Sequence, residues 1–120
     1  MKTINLQKLA SIIQAYKNCI KSGNKEWEQN HLEYIEAEQK KLPHGSGIDG
    51  KCEFDIENCT PTKIVIYLEY HHMNEDGYCG WTEHNLIITP TFGSCRVSIT
   101  GKNKNDIKDY LRDTFEYYFI

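Results

Sequence analysis

Glu69, His71 and His84 lie on either side of an Asp76-Gly77 turn signal. A two-residue turn centred there sets His72 opposite Trp81 and Glu69 opposite His84. Side chains alternate along a strand, so one face collects Ile64, Ile66, Leu68, Tyr70 and His72 with Ile87, Glu83 and Trp81. The other collects Val65, Tyr67, Glu69, His71 and Met73 with Leu86, His84 and Thr82. The first face is the more apolar and is expected to meet the helices. The second brings one carboxylate within reach of two imidazoles, a set that binds zinc or does acid–base work. Catalysis by Glu69, His71 and His84 would make the chain a small metal-dependent hydrolase or nuclease. The same residues also read as a solvated sheet face whose histidines pair with Glu69. A loop with an odd residue count would flip one strand and dissolve the cluster.

A second set points to anion binding without catalysis. Gly45-Ser46-Gly47-Ile48-Asp49 offers backbone N–H groups with little side-chain obstruction. It is neither a P-loop nor a dinucleotide fingerprint, because a strand rather than a helix follows, and no Gly-Lys-Ser/Thr occurs. It also lacks the first glycine of a hydrolase nucleophile elbow, where His44 stands. Lys102 and Lys104 precede the last helix, whose N-terminus favours phosphate. Arg96 is a further cation, and Tyr78 and Trp81 are aromatic walls on which a base could stack. In a meander, the glycine loop, the Asp76-Gly77 tip and the exit at Gly101 fall at one end. The expected ligand-binding set is therefore Gly45, Ser46, Gly47, Asp49, Tyr78, Trp81, Arg96 and Lys102. Each part has a plainer reading: a linking turn, a capped polar loop, half-buried strand aromatics.

The elements that must position these groups follow from periodicity. Leu6, Leu9, Ile13, Tyr16 and Ile20 form a helical stripe, with Thr3 or Asn5 to cap it and Gly23 to end it. Asn24 opens a second helix carrying Trp27, Leu32, Ile35 and Leu42, limited by Pro43. After the glycine loop the period drops to two. Strands are expected over 52–57, 64–73 and 81–89, the third stopped or kinked at Pro90, and over 95–100. Asn105 is read as the cap of a last helix with Asp106 and Asp109 in its first turn and Ile107, Leu111, Phe115 and Tyr118 as its stripe. The order α-α-β-β-β-β-α predicts an α+β fold: an antiparallel four-stranded meander with all three helices on one face. Ile66, Leu68, Val97, Ile99, Leu111 and Phe115 are expected to share its core.

The 120 residues make one domain, with 1–42 an αα-hairpin and 43–120 the sheet and last helix. Hydrophobic residues are 39% and charged residues 26%, which fits a folded chain rather than a disordered one. No apolar run reaches the ~18 residues of a membrane helix, and the N-terminus does not read as a signal peptide. The net charge of -3 argues against broad nucleic-acid binding and leaves room for a local basic patch. Five cysteines, an odd number without a C-x-x-C, fit reduced thiols in a cytosol better than a disulfide framework.

His71-His72-Met73, Gly77-Tyr78, Gly80-Trp81-Thr82-Glu83-His84, the Gly45–Asp49 run, and Thr100-Gly101 followed by Asn105–Leu111 together resemble a family of small phage, prophage and mobile-element proteins. The resemblance spans Leu42 to the end and leaves out the αα-hairpin. It departs at Cys79, where the family often has an acidic residue before Gly-Trp. It implies a mobile-element origin and assigns no chemistry; by context, such proteins are often accessory or anti-defence factors acting in the host cytoplasm. The resulting expectation is a non-enzymatic binding protein without a cofactor. It would sequester a small anionic, nucleotide-type ligand or inhibit a host protein, with an exposed edge strand that invites a homodimer.

Overall fold

The computed structural model describes residues 3–48 and 50–120. Helix α1 spans Leu6–Ser22. The Asn5 side chain accepts from the Lys8 amide at its start, and Gly23, in the left-handed region at φ 73°, closes its end. Helix α2 spans Lys25–Gln39, capped by Asn24 on the Trp27 amide. Within α2 only Ile35 and Glu38 are buried. Trp27, expected on the apolar stripe, is 56% exposed, and Leu42 is buried beyond the helix end. The reason is that α2 packs chiefly on α1 and meets the sheet little. It is tied to the sheet where the Phe54 amide donates to Gln39 Oε1 at 2.9 Å.

The sheet contains β1 (Cys52–Phe54), β2 (Ile64–Asn74), β3 (Gly77–Thr91) and β4 (Ser94–Ile99). Their order is β1-β2-β3-β4 and every pair is antiparallel, the expected meander. β1 stops early because Ile56–Asn58 winds into a 3₁₀ turn, steadied by the Asn58 side chain, whose Nδ2 donates to Asp55 Oδ2. β3 runs through Pro90 instead of stopping there. The missing N–H breaks no ladder bond, since β2 begins opposite Ile88 and Pro90 has already passed its end.

Helix α3 spans Lys108–Tyr118 and begins after a 3₁₀ turn over Lys104–Asp106. Asn105 lies inside that turn and caps nothing; Ile107 occupies the cap position without a side-chain bond. The left-handed Asn103, at φ 57°, bends the chain so that the helix starts later than the sequence pattern indicates.

Leu6, Leu9, Ile13 and Ile35 meet Ile64, Ile66, Leu68, Leu86, Ile88, Val97, Leu111 and Phe115 in one buried cluster. The face of the sheet that carries these residues therefore shares one core with the helices, α2 reaching it through Ile35. Of the expected core set, only Ile99 stays half-buried. A contact that the sequence does not announce closes the fold. Ile4 and Phe119, both fully buried, form a parallel bridge, with the Ile120 amide donating to the Ile4 carbonyl at 2.8 Å.

Candidate functional site

The β2–β3 register decides which side chains can work together, and it differs from the turn-based expectation. The turn is centred on Glu75 and Asp76, because Asn74 Oδ1 accepts from the Asp76 amide at 2.8 Å and Asn74 faces Gly77. Moving the turn back by one residue shifts each pairing by two and keeps the faces. A bulge then intervenes: Met73 faces Tyr78 while His72 faces Gly80, leaving Cys79 as the extra residue. That single residue exchanges the two faces of β3. Below it His71 faces Trp81, Glu69 faces Glu83 and Leu68 faces His84.

The Glu69–His71–His84 cluster is thereby dissolved. Glu69 and His71 remain on the outer face, while His84 turns into the core and is 1% exposed. Glu69 meets Glu83 across the strands, and the Tyr67 hydroxyl lies 2.8 Å from Glu83 Oε1 and 3.1 Å from Glu69 Oε2. Burial and these carboxylates hold the Tyr67 phenol above its ordinary range. Among the described residues, no group of three or more His, Cys, Asp or Glu side chains is arranged to hold a metal.

On the helix-facing side the flip creates a hydrogen-bonded chain. Thr82 Oγ1 lies 2.6 Å from His84 Nε2 and 2.7 Å from His72 Nε2, and His84 Nδ1 lies 2.9 Å from the Thr100 carbonyl. A carbonyl only accepts, so Nδ1 carries the proton of the neutral His84 ring. Nε2 then accepts from the Thr82 hydroxyl, whose oxygen accepts from His72 Nε2–H. Burial lowers the His84 pKa, the Thr100 bond opposes that shift, and nearby His72 adds to it. The chain fixes the edge of β3 that β4 leaves uncovered, since β4 pairs only with Leu86–Thr91.

The loop leaving β4 crosses this uncovered edge. A Cβ on Gly101, at φ 117°, would lie 2.4 Å from the Glu83 carbonyl oxygen and 2.5 Å from His84 Nδ1, so only glycine lets the loop approach. Two hollows result. One, of about 460 Å³, is lined by Trp81, Thr82, Glu83, Gly101 and Lys102. The other, of about 380 Å³, is lined by His72, Cys79, Gly80, Trp81, Thr82, Asn103 and Asp106. Trp81, 50% exposed, is a wall of both.

Trp81 and Lys102 therefore share a hollow, as expected. Tyr78 is 56% exposed and packs its ring 5.6 Å from that of His71 on the outer face. The glycine loop lies elsewhere. Gly45 and Ile48 bond each other's backbone twice at 3.0 Å, which consumes two of the N–H groups that an anion would need. The Gly47 carbonyl accepts from the His71 amide at 2.9 Å, on the side of β2 away from β3. A Cβ on Gly47 would lie 2.4 Å from the Tyr70 ring. Gly45, Ser46 and Gly47 thus extend the β1 edge and pack on β2, with the hairpin between them and Lys102. Asp49 lies outside the described residues. Arg96 lines a different groove, with Lys104, Lys108 and Arg112.

The residues the sequence reading missed are His72, Thr82, Asn103 and Asp106. The Gly101 turn and the unpaired length of β3 were their available signals. Among the described residues, no helix is long and apolar enough to cross a membrane. Comparison of the chain with family models, curated proteins and solved structures gives no match in any of the three.

Proposed function

We propose that the chain is a non-enzymatic binding protein for a small anionic molecule of nucleotide type, held at the uncovered edge of β3. The observation that carries this reading is the half-exposed Trp81 between two hollows of different chemistry. One hollow offers the Lys102 ammonium to a negative group. The other offers Asn103, Asp106 and Nδ1 of His72, whose Nε2 is held by Thr82, a mixture of donors and acceptors suited to the edge of a heterocycle. An indole stacks on any planar base, with about 1–3 kcal/mol at stake per base. The resemblance to mobile-element proteins supplies the setting: sequestration of a host nucleotide signal in the host cytoplasm.

Isothermal titration with mono-, di- and cyclic nucleotides tests the proposal. Saturable binding is expected, weakened at least about fivefold by Trp81→Ala, which follows from the stacking energy. Lys102→Ala should weaken it less and flatten its salt dependence. Absence of binding across the panel, or binding indifferent to both substitutions, overturns the reading.

A further inference from the structure

β4 is the last strand of the sheet, and the groove beside it differs in kind from the Trp81 hollows. It measures about 230 Å³ and is lined by Arg96, Val97, Ser98 and Ile99 on one side and by Lys104, Lys108 and Arg112 on the other. Successive strand side chains point to opposite faces. A hollow touched by four consecutive residues therefore runs along the edge of the strand, beside its backbone.

That edge carries unused hydrogen-bonding groups. The Thr100 amide donates to the Asn85 carbonyl. In an antiparallel ladder the bonding residues alternate, so Ser98 and Arg96 direct their backbone groups at β3. Val97 and Ile99 direct both N–H and C=O outward into the groove. Neither has a backbone partner there among the described residues.

The opposite wall is basic. Arg112 pairs with Asp109, but Arg96, Lys104 and Lys108 have no ion pair among the described residues. Four cations converge on one groove of a chain whose net charge is -3. A phosphate could use the outward N–H groups but would face the outward carbonyls as well. An extended peptide satisfies both, as in strand addition to an exposed sheet edge. A second copy of this chain would bring the same cations against these, which disfavours self-pairing.

We infer that the β4 edge docks an extended acidic segment of another protein, which adds as a fifth strand with its carboxylates toward Arg96, Lys104 and Lys108. This surface is separate from the Trp81 hollows, and the inference does not rest on the nucleotide reading.

Fluorescence anisotropy tests it with a labelled hexapeptide of alternating Glu and Val, and with the same peptide N-methylated at every residue. A single-stranded oligonucleotide of equal charge serves as the third probe. The unmodified peptide is expected to bind saturably, and Arg96→Glu with Lys104→Glu to weaken it at least tenfold. Both substituted side chains are exposed, and circular dichroism checks that the double variant folds. N-methylation keeps the charge and removes the strand's donors, so it should weaken binding at least tenfold too. Three results overturn the inference: no binding of the unmodified peptide, equal binding of the methylated one, or tighter binding of the oligonucleotide.

Discussion

Leu68 and His84 face each other across the β2–β3 ladder, so an imidazole stands in the wall of the hydrophobic core opposite a fully buried leucine. Its ring nitrogens are satisfied by Thr82 and the Thr100 carbonyl, which makes the burial tolerable only while the ring is neutral.

That relationship sets a pH dependence. Burial depresses the folded pKa of His84 below its ordinary 6.5. The unfolded chain therefore takes up a proton that the folded one refuses. The stabilisation is fully present above about pH 6.5 and is lost as the pH falls toward the folded value, by up to about 1.4 kcal/mol per pH unit. Urea denaturation at a series of pH values should show this slope, and His84→Gln should flatten it. An unchanged slope in the variant would remove His84 as its source.

The approach of the 101–104 loop to β3 depends on Gly101. Its positive φ and the 2.4 Å distance from a Cβ to the Glu83 oxygen make Gly101→Ala strained in two ways. A loss of about 1–3 kcal/mol is expected. Gly93→Asn is the contrasting change: φ is 75°, nothing lies within 4 Å, and asparagine tolerates the left-handed region. It should stay within about 0.5 kcal/mol. Equal effects of the two would contradict the role given to Gly101.

Docking of α3 is tested at Leu111, which is fully buried beneath the sheet. Leu111→Ala should cost about 2–5 kcal/mol in thermal or chemical denaturation. A loss under about 0.5 kcal/mol would mean that the helix is not packed as described.

The thiols divide by environment. Burial, aided by Glu53, pushes the Cys52 thiol up to about 12, and burial also raises Cys59. Cys95 is buried, whereas Cys79 is exposed at the bulge. With a disulfide reagent at pH 8, exposed Cys79 should react first and the half-buried Cys19 of α1 more slowly, and Cys79→Ser should abolish the fastest phase. Cys52, Cys59 and Cys95 should react only on unfolding. A fast phase that survives Cys79→Ser would contradict this assignment.

The meander and the three helices were legible because each rests on a repeated pattern: the Leu6–Ile13 stripe, the β-branched run of β2, the Leu111–Phe115 pair. The face of β3 was not, because it hinges on one residue. In Tyr78-Cys79-Gly80 the isolated Gly80, at φ 120°, is the one mark of a bulge and does not by itself fix which residue is extra, yet Cys79 moves His84 from solvent to core and Trp81 to the outer face. Trp81 and Lys102 could be placed together from the meander alone, since both lie at the same end. The glycine loop could not be separated from them, because sequence order gives the end of the sheet but not the edge. His72 and Thr82 were hidden for the same reason as His84. The Ile4–Phe119 bridge was hidden because a pair of isolated residues has no periodicity to read.

Whether Trp81 seats a planar anionic ligand is read from its own fluorescence. The chain has two tryptophans, and Trp27 is exposed on α2, so Trp27→Phe leaves Trp81 as the sole indole reporter. That variant is titrated with the nucleotide panel at low and high salt. Saturable quenching by at least one nucleotide is expected, weaker at high salt and weakened further by Lys102→Ala. Emission that stays unchanged by every nucleotide, or quenches only linearly as by free indole in solution, would contradict it.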